Sequence, residues 1–211
     1  MSSESEQSSP PADQLLPPTA KRRVYERIAL KIREFAGVPL DQALDPWQLT
    51  EHVKLKVVDI NQVEGLSEEA RKALLADNSK TWSGATTMPL PNGWRLVFLN
   101  PNHSRERQTA TLMEEVCHII LGHSPSQLIL PVEGQSQARF RNFNKAQEEA
   151  AYAIGAAALI PYYILRLAVE RGIPGERIAQ KFRVSKELVI YRIKVCRLWD
   201  VYKQRQPRVA K

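Results

Sequence analysis

Residues 111–123 read TLMEEVCHIILGH. Leu112, Val116, Ile119 and Ile120 recur at helical spacing, Ser104 stands where it can cap the start, and Gly122 closes the end. A helix is therefore predicted from Arg105 to Leu121. A helix that holds a metal ion places ligands at i and i+4, so that both project from one face. It also places a carboxylate beside the first ligand to act as a base on water. The usual spelling is His-Glu-x-x-His. Here the frame reads Glu114, Glu115, Val116, Cys117, His118, so the central Glu and the second His are in place and a Glu stands at the first ligand position.

Working outward, the chain before this helix holds a helical segment from Lys21 to Phe35, a helix from about Trp47 to Val53 opened by Asp45-Pro46, and a strand at KLKVVDI (54–60). A short helix runs from Ser67, its N-cap, to Leu75. TWSGATTMPL (81–90) and WRLVFLN (94–100) are strands joined by the turn signal PNG, which predicts an antiparallel hairpin. After the helix comes a loop with Pro125, Pro131 and Gly134. A second long helix follows from about Asn144 to Leu159, ended by Pro161, and its alanines with Gly155 suit close packing. The order of helices, a small sheet, then helices predicts an α+β fold with a small antiparallel sheet.

The helix at 111–123, together with EEAAYAIGAAALIP at 148–161, resembles the ImmA/IrrE family of bacterial metallo-endopeptidases. In that family a His-Glu-x-x-His-x-x-x-Gly-His helix is followed by Glu-Ala-x-x-Phe-Ala-Ala-x-Leu-Leu-x-Pro. The resemblance covers roughly Val53 to Pro161 and implies a zincin-like core. It implies that His118 is a metal ligand, that Glu115 is the general base, and that the third ligand is Glu149, which directly precedes Ala150, or else Glu148. His123 matches a frequent motif His that is not a ligand. The departure is Glu114, at a position where the family has a ligand His. A carboxylate can bind zinc, so a Glu/His/Glu set is chemically feasible, but its extra negative charge makes manganese more competitive. Cys117 is expected to be a buried small residue, and His52 and His103 surface residues.

Residues 174–199 read PGERIAQKFRVSKELVIYRIKVCRLW. Ile178, Ala179, Val184, Val189 and Ile193 form the apolar frame of a helix-turn-helix, with Ser185 capping the second helix and Arg183 at a turn position often filled by Gly. If this pair touches DNA, the contacts fall to Arg183, Lys186, Arg192, Lys194 and Arg197 through phosphates. The other reading is structural: helical pairs of this kind in the family often complete the fold or hold a protein partner.

Composition bounds these readings. The 211 residues carry a formal charge of +7, distributed as −3 over 1–20, +1 over 21–161 and +9 over 162–211. The positive charge thus belongs to the segment with the helix-turn-helix pattern, and the candidate metal core is nearly neutral. Residues 1–22 are expected as a disordered tail rich in Ser and Pro, 23–161 as the core, and 162–211 as the basic helical segment. Two cysteines make no disulfide framework, no secretory signal is visible, and no apolar run approaches the ~20 residues of a membrane span. A cytoplasmic location is the default. Two functions follow as expectations. The first is a cytoplasmic endopeptidase using a divalent metal, zinc before manganese, to cleave a protein partner, which the resemblance makes a DNA-bound repressor. The second is a metal-free relic of that fold that binds DNA or a repressor without catalysis.

Overall fold

The computed structural model describes residues 12–63, 68–75, 82–123, 127–129, 139–141 and 144–206. Helix α1 spans Ala20–Phe35, strand β1 Leu55–Val58, α2 Glu68–Leu75, β2 Gly84–Thr86, β3 Arg95–Leu99 and α3 Arg105–Ile120. Strands β4 (Gln127–Ile129) and β5 (Arg139–Arg141) precede α4 (Lys145–Leu159), α5 (Tyr162–Glu170), α6 (Gly175–Phe182), α7 (Lys186–Val195) and α8 (Trp199–Arg205). The architecture is α+β, as the element order implies.

Helix α3 lies at the centre. Ser104 Oγ accepts from the Arg107 N–H at its start. On the buried side Leu112, Met113, Val116 and Cys117 are fully excluded from solvent. One side of α3 packs on α4 and the other on β2 and β3. Asn144 caps α4, its Oδ1 accepting from the Ala146 and Gln147 N–H groups at 3.1 and 3.3 Å. Gly155 lets α4 approach α3 backbone to backbone. A Cβ there would stand 3.4 Å from Glu114 N and from Met113 C.

The sheet has the order β1-β3-β2. β2 runs antiparallel to β3, with Ala85 opposite Phe98, as the hairpin signal implies. β1 runs parallel to β3, with Val57 opposite Val97, so the sheet is mixed rather than antiparallel. A parallel pair needs a long connection, and the chain between β1 and β3 supplies one that carries α2 and β2. The segment read as a loop after Gly122 contains the antiparallel pair β4–β5, with Leu128 opposite Phe140. The helix expected at 47–53 is a single 3-10 turn over Pro46–Leu49, capped by Asp45 Oδ1 accepting from Trp47 N–H. Ser67 and the loop prolines 125 and 131 lie outside the described residues, as do residues 1–11. Residues 12–22, read as tail, instead hold a 3-10 turn at Ala12–Leu15 beside α5 and the first turn of α1. Among the described residues no single helix is long and apolar enough to cross a membrane.

One hydrophobic core runs from α1 through α3 and α4 into α8, across the boundary drawn at 161. Ile178, Ala179, Val184, Val189 and Ile193, the apolar frame of the α6–α7 pair, are all buried in it. Between these helices Arg183 adopts a left-handed conformation (φ 55°), and Ser185 Oγ accepts from Leu188 N–H at 3.2 Å.

A buried polar network fixes the helices relative to one another. Glu26 of α1 is 1% exposed and Arg192 of α7 is 2% exposed, and they pair at 2.8 Å. Glu26 also accepts from the Tyr162 N–H at the start of α5, at 2.6 Å. Arg192 Nε donates to Ile160 O, and Arg33 of α1 donates to Ala158 O, at 3.1 and 2.7 Å. Arg192 therefore cannot serve as a DNA contact. Burial disfavours its charge, but Glu26 outweighs this and holds the guanidinium ionised.

Breaking a buried pair costs about 3–5 kcal/mol because one charge is left behind, whereas an apolar replacement of both partners costs less. Glu26→Gln and Arg192→Met should each lower stability by about that amount in urea denaturation. The double variant Glu26→Leu/Arg192→Met should lose less than either single change.

Candidate metal centre

Glu114 and His118 stand one turn apart on α3, and α4 crosses them so that Glu148 completes a group. One donor atom from each residue lies within 4.8 Å of the others. His118 is buried, and its Nε2 is 3.5 Å from Glu148 Oε2. Of the two candidate third ligands, α4 brings Glu148 to this group. Glu149, the preferred reading from sequence, points away. It lies at the surface and pairs with Lys21 at 2.8 Å and Arg22 at 3.4 Å on α1. The reason is helical geometry: neighbours on a helix are about 100° apart, so only one of the two can face α3.

Glu115 faces the sheet side of α3, where its Oε2 accepts from Thr86 Oγ1 at 2.8 Å. Gly84 permits this approach. A Cβ there would fall 2.6 Å from Thr111 Cγ2, a stiff β-branched side chain on α3, and 3.7 Å from Glu115 Oε1. Neither Thr86 nor Gly84 carries a signal in the sequence that marks it as part of the site.

The electrostatics are those of carboxylates gathered out of water. Burial, reinforced by Glu115, raises the Glu114 carboxyl to about 8. Burial also raises Glu115, with Thr86 opposing the shift. For His118, burial opposes the charged ring, but Glu148 and the other carboxylates outweigh it and the pKa rises. A divalent cation would relieve the repulsion among these groups. Two carboxylate oxygens and an imidazole nitrogen at this spacing fit such an ion.

The other sequence candidates are elsewhere. Cys117 is fully buried, and burial pushes its thiol up, so it is no nucleophile. His52 is exposed and meets Phe35 edge to face. His103, expected at the surface, is buried at 7% exposure, in the turn where its N–H donates to Asn100 O. Of the basic residues named for DNA, Arg183, Lys186, Lys194 and Arg197 are exposed. Lys186 is paired with Glu176, and Lys194 lies over the Trp199 ring at 5.2 Å.

The model of the IrrE N-terminal-like domain, peptidase M78, matches residues 77–194, more than half of the chain. The chain belongs to this family. The matched span includes the whole of α3 and α4 and runs into α7, so the IrrE-like domain takes in both the metal centre and the α6–α7 pair. No curated protein and no solved structure gives a significant match.

The raised carboxyl has a consequence for the metal-free protein. Folded Glu114 keeps its proton up to about pH 8, against an ordinary value of 4.5, so above pH 4.5 the folded state binds more protons than the unfolded one. The contribution of this group to stability therefore falls as pH rises from about 5 to about 8, by up to about 1.4 kcal/mol per pH unit. His118, also raised, adds a term of the same sign that is present at low pH and lost as the ring deprotonates. Denaturation of chelator-treated protein across this range should show the slope, and Glu114→Gln should flatten it.

Proposed function

We propose that this protein is a metal-dependent endopeptidase in which Glu114, His118 and Glu148 hold a divalent ion and Glu115 is the general base. The observation that supports this most directly is the convergence of three donor atoms within 4.8 Å, with Glu115 adjacent on the same helix. Family membership supports the same chemistry. An ion held there would supply a Lewis acid for a peptide carbonyl and make water more acidic. Thr86 holds Oε2 of Glu115, which leaves Oε1 as the oxygen to take a proton from water and pass it to the leaving amine. Zinc is the first candidate metal. Manganese gains from a set with two carboxylates and one imidazole. The proposed substrate is a protein, and a DNA-bound repressor is the class that the family resemblance suggests, in a cytoplasmic setting.

The competing reading is a non-catalytic module that binds DNA or a repressor. The feature behind it is Glu114 itself, a carboxylate at the position where the metallopeptidase helix carries its first ligand His. The burial of Arg192 weakens the DNA half of that reading, because α7 gives its central cation to the core.

Elemental analysis and titration of the purified protein with Zn²⁺ and Mn²⁺ separate the two. Near one equivalent of metal is expected. Glu148→Gln should lose it while Glu149→Gln keeps it. Glu115→Gln should retain the metal and lose peptide cleavage by about 10²-fold or more. A wild-type protein that takes up neither ion would overturn the peptidase reading.

A further inference from the structure

Helix α3 ends in a turn that folds the chain back on the metal centre. Gly122 adopts φ 66°, its N–H donates to Ile119 O at 3.0 Å, and the His123 N–H donates to His118 O at 2.9 Å. This is the paired 5→2 and 6→1 hydrogen bonding of a glycine-closed helix end. It brings residue 123 over residue 118. The two imidazoles meet edge to face with centroids 5.1 Å apart, and their Nδ1 atoms are 3.2 Å apart.

Only one of those nitrogens can carry the shared proton. His118 Nε2 is the atom that faces Glu148. For its lone pair to be available there, the ring proton must sit on Nδ1, and something must accept it. A metal-binding His commonly donates that proton to a carboxylate or a backbone carbonyl. Three carboxylates, Glu114, Glu115 and Glu148, already crowd His118, and each acts electrostatically on its ring. A fourth would add to their repulsion, whereas a neutral imidazole accepts the proton without adding charge.

We propose that His123 is a positioning residue for His118: its Nδ1 accepts the Nδ1–H of His118 and so turns the Nε2 lone pair of His118 towards Glu114 and Glu148. His123 then carries its own proton on Nε2. This rests on the metal reading above and assigns a role to a residue that sequence pattern alone marks only as a non-ligand.

The test is competition titration of the full chain with Zn²⁺ and Mn²⁺, in wild type and in three variants. His123→Leu and His123→Ala remove the acceptor. His123→Asn restores one, because its Oδ1 stands close to where Nδ1 was. Loss of such a partner typically weakens metal binding about 10–100-fold. That weakening is expected for Leu and Ala, with most of it recovered by Asn, while melting of the metal-free variants shows that each is folded. Metal bound equally by wild type and the Leu and Ala variants overturns the inference and leaves the metal reading standing. Asn binding as weakly as Leu also overturns it, since packing rather than the acceptor would then matter. A wild-type protein without metal affinity fails the reading beneath and takes the inference with it.

Discussion

The last carbonyls of an α-helix have no partner within the helix, and at the end of α4 they are also sealed from water. Ala158 and Ile160 are fully buried there, and Pro161 stops the helix from continuing. Their oxygens are met by two buried arginines, Arg33 from α1 and Arg192 from α7. These cations bring their own desolvation cost, which Glu26 offsets for Arg192. For Arg33 burial outweighs the attraction of Asp41 and lowers the guanidinium to about 10, still ionised at neutral pH, while it donates to Gln42 O as well as to Ala158 O. Four segments are thereby tied to one point: α1, the start of α5, α7 and the end of α4. The anchor fixes the C-terminal end of α4, the helix that presents Glu148 to α3.

The other half of the site depends on the sheet. Helix α3 is held between α4 and the hairpin strands, so its two adjacent acids face different partners. Glu114 looks to α4, and Glu115 looks to Thr86 on β2. Adjacent helix residues diverge by about 100°, and the sandwich turns that divergence into separate roles. The close seat of β2 at Gly84 and that of α4 at Gly155 are the two contacts that define the thickness of the layer.

The local features of the fold were legible where one short pattern decided them. The α3 caps, the PNG hairpin and the stop at Pro161 each rest on a few neighbouring residues. The parallel pairing of β1 was not, because it depends on where a long connection returns. The β4–β5 pair was hidden in a stretch punctuated by proline and glycine. In the site, the α3 residues followed from their spacing, whereas Glu148 and Glu149 could be told apart only by the phase of α4 relative to α3. Arg192 shows the limit most clearly. In sequence it belongs to a basic run, and only the position of Glu26, far away in the chain, turns it inward.

Where α4 meets α3 at Gly155, the nearest atoms are Glu114 N and Met113 C of the main chain and Met113 Cγ, so no side chain of the metal group sets that contact. The frame of the metal centre is therefore independent of the identity of its donors. At position 114 a Glu or a His would hang from the same backbone, so a change of donor there alters the preferred ion without moving the helices. Ion preference and helix spacing thus rest on different residues, the first on the donor side chains and the second on the absence of one at Gly155.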